Sequence, residues 1–150
     1  MGKCKYCGQD AGFFHSKHEE CERKFNQGLA SIKQIISNCF VNKEDFYLKE
    51  REINSIVQNS FIDRNALQQA YCNAFDMAID NYLNDGVIDT KENQTVARFM
   101  QFTGLPQSVL NANQSLEKVV QSKVLQDILQ GNVPAPNITI NGDFPFLLGK

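Results

Sequence analysis

Residues 63–82, DRNALQQAYCNAFDMAIDNY, decide the fold class of this 150-residue chain. Their apolar side chains recur three and four positions apart over about five turns, which is the spacing of one helical face. The members of this face are Leu67, Ala70, Tyr71, Ala74, Phe75, Ala78, Ile79 and Tyr82. Because the apolar arc is wide, we expect the helix to be contacted on more than one side. The sequence therefore predicts a mainly α fold with this helix at its centre, capped by Asp63 and stopped before Gly86.

Upstream, a second apolar stripe predicts a long helix that reaches about Phe40. Its members follow one another at spacings of four, three, four and three: Phe25, Leu29, Ile32, Ile36 and Cys39. Ser16 is the expected N-cap, and Glu19 three residues later completes a capping box. Gly28 within the stripe costs about 1 kcal/mol relative to Ala, so we expect either a break or a close approach of another element there.

Shorter helical patterns complete the bundle. Asp45 is placed to cap a helix, and Asp89 with Glu92 forms a capping-box pattern that opens another. The segment TGLP ends that helix and begins a last one, which ends at Gly131. These patterns predict a bundle of about five helices over residues 25–131.

Residues 132–150 predict a linker followed by a short extended, β-like tail. The segment NVPAPN cannot be helical, ITI is β-branched, NGD is a hairpin signal, and FPFLLGK is apolar. We expect this tail either to dock on the helices or to form the first edge of a further domain.

The N-terminal stretch CKYCGQDAGFFHSKHEEC, residues 4–21, holds three cysteines and two histidines. Zinc in structural sites takes four donors in a tetrahedron and prefers thiolate or imidazole. Cys4 and Cys7 supply one half of such a site from a tight turn, which Gly8 directly after them permits.

The second half of the site is expected at the start of the first helix. His18 and Cys21 stand three residues apart, so their side chains project together there, whereas His15 precedes the cap and points elsewhere. We therefore predict a zinc site formed by Cys4, Cys7, His18 and Cys21. The alternative is that His15 replaces His18.

Four protein ligands close the zinc shell, whereas a catalytic zinc keeps one position open for water. The chain has no HExxH motif, and both histidines lie in the N-terminal segment. We therefore expect no enzyme, but a structural zinc in a treble-clef-like or zinc-ribbon-like module over residues 1–24. This module precedes the helical bundle.

Composition narrows the classes of partner and compartment. The chain has 17 acidic and 15 basic residues and a net charge of -2, so no global basic field attracts nucleic acid or anionic lipid. No apolar run approaches the roughly 18 residues needed to span a bilayer, and the N-terminus has no signal-peptide core. Five cysteines, three of them clustered, are typical of a reducing compartment, so we expect a cytoplasmic protein.

The loop NYLNDGVIDTKE, residues 81–92, has the outline of a calcium loop. Aligning Gly86 with the invariant glycine of such loops places Leu83, which cannot coordinate, at a ligand position, and Asn81 is a weak first ligand. A helix stop and a capping box explain the same residues without a metal.

The segment LNDGVIDTKENQTVARFMQFTGLP, residues 83–106, resembles the inter-helix signature of tellurite-resistance B-like helical domains. This resemblance implies a helical bundle with acidic metal-binding positions, to which Asp85 and Asp89 correspond. The whole layout also resembles bacterial and phage-borne proteins with an N-terminal CxxCG…GFF…HxxC zinc motif, a helical segment and a C-terminal β domain. The second resemblance implies a β domain after FPFLLGK.

Taken together, these patterns favour a zinc-stabilised, non-enzymatic adaptor that binds another protein or a second copy of itself. The alternative is a nucleic-acid-binding zinc-finger regulator. Residues 1–27 carry five basic and four acidic side chains, and three thiolates with one zinc ion subtract a further unit of charge. The module then has no net positive charge with which to bind phosphates, so the adaptor is the preferred interpretation.

Overall fold

The computed structural model describes residues 2–13 and 15–129, and this part of the chain is mainly helical, as the sequence predicts. An antiparallel β-hairpin precedes six helices and two short 3-10 segments, Phe46–Lys49 and Leu83–Asp85. The elements are β1 (Gly2–Lys3), β2 (Asp10–Gly12), α1 (Glu19–Asn42), α2 (Glu50–Asn59), α3 (Arg64–Tyr82), α4 (Thr90–Thr103), α5 (Gln107–Leu110) and α6 (Ser115–Leu129). The extended tail predicted over 132–150 lies outside the described residues.

Helix α3 lies at the centre of the bundle, where it packs against α1, α5 and α6. Aromatic rings fill the core around it. The rings of Phe75 and Phe99 stack with their centroids 5.7 Å apart, and Phe40 lies 5.0 Å from Phe99. The buried hydroxyl of Tyr82 donates a hydrogen bond to the Phe40 carbonyl, which ties the ends of α1 and α3 together. Aromatic pairs of this kind add about 1 kcal/mol each beyond the area that they bury.

Capping residues place the ends of these helices where the sequence predicts them. The Asp63 carboxylate accepts a hydrogen bond of 2.8 Å from the Ala66 N–H at the start of α3. Asp89 and Glu92 form a reciprocal capping box at the start of α4. Gly86 and Gly104 are left-handed, with φ of 96° and 64°, where L side chains are strained. Gly104 ends α4, and Gly86 ends the 3-10 segment Leu83–Asp85 that follows α3, so the helical stretch stops before Gly86 as predicted.

The last helix differs from its prediction because it is divided into α5 and α6. The Asn111 side-chain oxygen accepts hydrogen bonds from the N–H groups of Leu116 and Glu117, at 3.0 and 3.3 Å. Asp76 of α3 also accepts a bond of 2.6 Å from the Ser115 hydroxyl. These bonds start a new helix at Ser115 and turn the chain between the two segments. The end predicted at Gly131 lies outside the described residues.

Ser16 is not the N-cap of α1, and this prediction was wrong. The helix begins at Glu19 after an extended His18, with φ of -86° and ψ of 138°. The Ser16 carbonyl accepts a hydrogen bond of 2.8 Å from the Lys5 N–H, and the His18 N–H donates to the Cys4 sulfur at 3.3 Å. Residues 16–18 are thus tied to the hairpin and cannot adopt helical geometry.

Gly28 marks a close approach and not a break, since α1 continues through it. A Cβ added there would lie 2.5 Å from the Cβ and Oγ of Ser60 and 3.1 Å from a methyl carbon of Ile62. Helix α1 also runs unbroken through residue 24, where a domain boundary was predicted, so that boundary stays a prediction. No helix of the described ranges has both the length and the hydropathy needed to cross a membrane.

Candidate metal centre

Three thiols and one imidazole converge where the hairpin meets the start of α1. Cys4 and Cys7 come from the turn between β1 and β2, His18 directly precedes α1, and Cys21 lies in its first turn. One donor atom from each residue lies within 4.8 Å of the others. These four side chains are therefore close enough to bind one metal ion.

Backbone hydrogen bonds shape the turn that carries the first two thiols. The Cys4 N–H donates to the Gln9 carbonyl at 2.7 Å, and the Gly8 N–H donates to the Cys4 carbonyl at 2.9 Å. Gly8 has φ of 78°, which glycine adopts without strain. The chain can therefore reverse within five residues and bring Cys4 and Cys7 to the same cluster.

Both ring nitrogens of His18 have a defined role. Nε2 lies 2.8 Å from the Asp10 carbonyl, which can only accept, so Nε2 carries the proton. In the neutral ring Nδ1 then keeps its lone pair, and it lies 3.4 Å from the Cys7 sulfur and 3.6 Å from the Cys21 sulfur. Histidines that bind metals usually donate their second ring N–H to such an acceptor, which fixes the tautomer and the ring orientation.

The thiols differ in how easily they ionise. Burial opposes ionisation of Cys4, but N–H groups of Cys7, His18 and Tyr6 point at its sulfur and lower its pKa to about 6. Burial and the neighbouring Cys7 and Cys4 sulfurs raise the pKa of Cys21 to about 11. Hydrogen bonds to the Asp10 carbonyl and to Cys7 raise the pKa of His18. The Cys4 thiolate therefore forms most readily, and a bound cation would favour ionisation of the other thiols.

Contacts beyond the four donors attach the hairpin to α1. The Tyr6 ring packs on Phe25 with the centroids 5.0 Å apart, and Lys17 forms an ion pair with Glu22. Phe13, which follows β2, has 64% of its surface exposed.

His15 is exposed and does not belong to the cluster. The hydrogen-bond partner of His18 was not identified from the sequence. That partner is the main-chain carbonyl of Asp10. Every residue has such a carbonyl, so only a prediction of the hairpin register would have identified it. The assignment of His18 and not His15 as a ligand stays a prediction, with the geometry above in its favour.

The other two cysteines and the capping-box carboxylates behave as structural residues. Cys39 is fully buried in the core, and the Cys72 sulfur lies 3.7 Å from the Val109 carbonyl. Asp89 and Glu92 are engaged in their capping box. Within residues 2–13 and 15–129, the four-residue cluster is the one group of His, Cys, Asp or Glu side chains placed to hold a metal.

Comparisons with family models, curated proteins and solved structures found no match to this chain. The resemblance of residues 83–106 to tellurite-resistance B-like domains stays a prediction.

Proposed function

We propose that the cluster binds one structural zinc ion and that the chain is a non-enzymatic protein-interaction module. With Zn–S near 2.3 Å and Zn–N near 2.05 Å, a tetrahedral site separates nitrogen from sulfur by about 3.6 Å. The observed distances from the His18 nitrogen to Cys7 and Cys21, 3.4 and 3.6 Å, agree with this value. Thiolates and a neutral imidazole are also the donors that zinc prefers.

The donor set supports a structural role for this ion. Three thiolates and one imidazole fill a tetrahedral shell and leave no position for a reactive water. A zinc ion here joins the turn after β1 to the start of α1, so it fixes the β-hairpin against the helical bundle. We therefore assign the metal to folding and not to catalysis.

The surface that this arrangement fixes is the hairpin face around Phe13. An exposed aromatic side chain on a rigid support is the kind of residue that anchors a protein–protein contact, because little conformational entropy is lost when it enters a pocket. The observation that carries the proposal is the four-donor cluster where the hairpin meets α1, with this exposed ring directly after β2. The partner is accordingly a protein with an apolar pocket.

The first test is native mass spectrometry of the protein purified from its own host. We expect one zinc per chain and a co-purifying protein in stoichiometric amount. Phe13→Ala should lose that protein and keep the zinc, whereas the control Leu48→Ala, which removes an equally exposed apolar side chain elsewhere, should keep both. A zinc-free chain under reducing conditions would refute the metal site. Retention on DNA that weakens steeply with salt, without a protein partner, would favour the nucleic-acid alternative.

A further inference from the structure

A continuous groove runs between α1 and α3. Three cavities of about 310, 360 and 500 Å³ follow one another along it, and neighbouring cavities share lining residues. Leu29 lines the groove together with Ala66, and Ser37 together with Met77, so the two helices run in the same direction along it. A groove between two parallel helices has the shape that accepts further helices.

The groove exposes apolar surface. Met77 is 68% exposed and Val41 is 53% exposed, and both line the same end of it. Its lining includes small side chains, Ala30, Ala70 and Ala74, which let another helix approach closely. Two of the six large exposed apolar side chains of the described residues thus lie in one groove, and adjoining apolar side chains of this kind are typical of a contact surface.

Charge is sparse in the groove and asymmetric along it. Lys33 is half-buried and forms no ion pair with any described residue. Asp80 lies toward the other end, with 64% of its side chain exposed and a bond of 2.9 Å to Lys118. The rest of the lining is apolar, small or amide-bearing. Because an exposed ion pair such as Asp80–Lys118 is weak, Asp80 can still attract a second cation, and Lys33 and Asp80 at different levels make the surface complementary to itself in the reversed direction.

We propose that this groove is the contact surface between two copies of the chain, related by a two-fold axis perpendicular to α1 and α3. Lys33 lines the groove together with Ala70 and Ala74, and Asp80 lies six to ten residues further along α3, which is about 9–15 Å. An axis midway between these levels passes near Ser37 and Met77. Each Lys33 then faces Asp80 of the second copy, and the two Met77 side chains meet.

This surface goes beyond the proposed function and is separate from the metal cluster. Its lining begins at Asn26 on α1, after the four candidate ligands. Loss of the dimer would leave zinc binding intact, and it would also leave intact the binding of a partner protein through Phe13. Failure of either proposal is therefore distinguishable from failure of the other.

Sedimentation velocity on the zinc-loaded full chain tests the proposal. We expect a species of twice the 17.0 kDa chain mass at micromolar concentration. Met77→Glu should weaken association by about a hundredfold, because it buries two carboxylates beside each other. Leu48→Glu, which changes an equally exposed apolar residue outside the groove, should leave association unchanged.

Charge-reversal variants provide a second test of the dimer. Lys33→Glu and Asp80→Lys should each weaken association about tenfold. Each substitution places like charges at positions 33 and 80 opposite each other, and the two-fold axis repeats this contact once more in the dimer. The double variant should recover most of the wild-type affinity, and the control Lys91→Glu on α4 should have no effect. A monomer at all concentrations, or a dimer indifferent to these changes, would overturn the proposal. The proposal would also be overturned if the protein were a monomer in which Met77 resists oxidation by peroxide, because a different occupant would then fill the groove.

Discussion

Removing the metal should unfold the hairpin and leave the helical bundle folded. The core that holds the bundle together runs from Ile32 to Val119 and includes none of the four candidate ligands. We therefore expect chelation of the zinc-loaded protein to release residues 2–18 and to fray the first two of the about seven turns of α1. Helices α2 to α6 should keep their structure.

The magnitude follows from the few contacts that the hairpin makes. Ordering a residue costs about 1–2 kcal/mol of backbone entropy, so fixing the segment before α1 costs on the order of 20 kcal/mol. Against this cost, the ring contact of Tyr6 with Phe25 contributes about 1 kcal/mol, and each hydrogen bond to Gln9 or Ser16 contributes a net amount of about 1 kcal/mol. A structural zinc contributes on the order of 10–16 kcal/mol, and its loss cannot be offset locally.

Hydrogen exchange measured by mass spectrometry with and without chelator resolves the two parts of the chain. Amides of Cys4, Gly8 and His18, which are hydrogen-bonded in the hairpin, should lose their protection, whereas those in the middle of α3 should not change. Adding zinc back should restore the protected hairpin. Global loss of protection, including α3, would refute the reasoning, because it would make the metal part of the core. Unchanged hairpin protection after complete metal removal would refute it equally.

Three further predictions concern single residues. His18→Ala should abolish stoichiometric zinc binding measured by mass spectrometry, whereas His15→Ala should retain it. Gly28→Ala should lower the free energy of unfolding in urea by about 1–2 kcal/mol, because the clash with Ser60 outweighs a helix-propensity gain of about 1 kcal/mol. Burial raises the pKa of Tyr82 from 10.0 to about 12, so stability is complete below pH 10 and falls as the pH approaches 12. Tyr82→Phe should reduce that alkaline loss in thermal melts, and at pH 8 should cost about 1 kcal/mol through its missing hydrogen bond.

For each of these three predictions, a specific experimental result would contradict it. Zinc retained by His18→Ala and lost by His15→Ala would reverse the choice of histidine. Combining Gly28→Ala with Ser60→Gly should recover stability, since it removes the atoms that clash; Gly28→Ala that stabilises the protein by itself would contradict the close approach. For Tyr82→Phe, a melting temperature that falls between pH 10 and 12 as steeply as that of the wild type would show that this hydroxyl does not titrate with unfolding.

Local chemistry explains which parts of the fold could be predicted. Asp63, Asp89 and Gly86 act within a few residues of their own position, so their sequence patterns were sufficient to place the ends of α3 and α4. The division between α5 and α6 depends on Asp76, which lies 39 residues from the hydroxyl of Ser115 that it binds. Such a contact leaves no local pattern, so the sequence indicated one helix where there are two.

The start of α1 shows why His18 and Cys21 were predicted to lie together although the predicted cap was incorrect. His18 is the N-cap and Cys21 is the third residue of the helix, which are the two positions that a capping box joins. The N-cap side chain makes no capping hydrogen bond, and its Nδ1 instead lies 3.6 Å from the Cys21 sulfur. A metal bound by both would join the same two positions and hold the first turn in place of a cap. The spacing of three residues was thus informative whether the helix began at Ser16 or at His18, and the proposed zinc ion would act as the cap of α1.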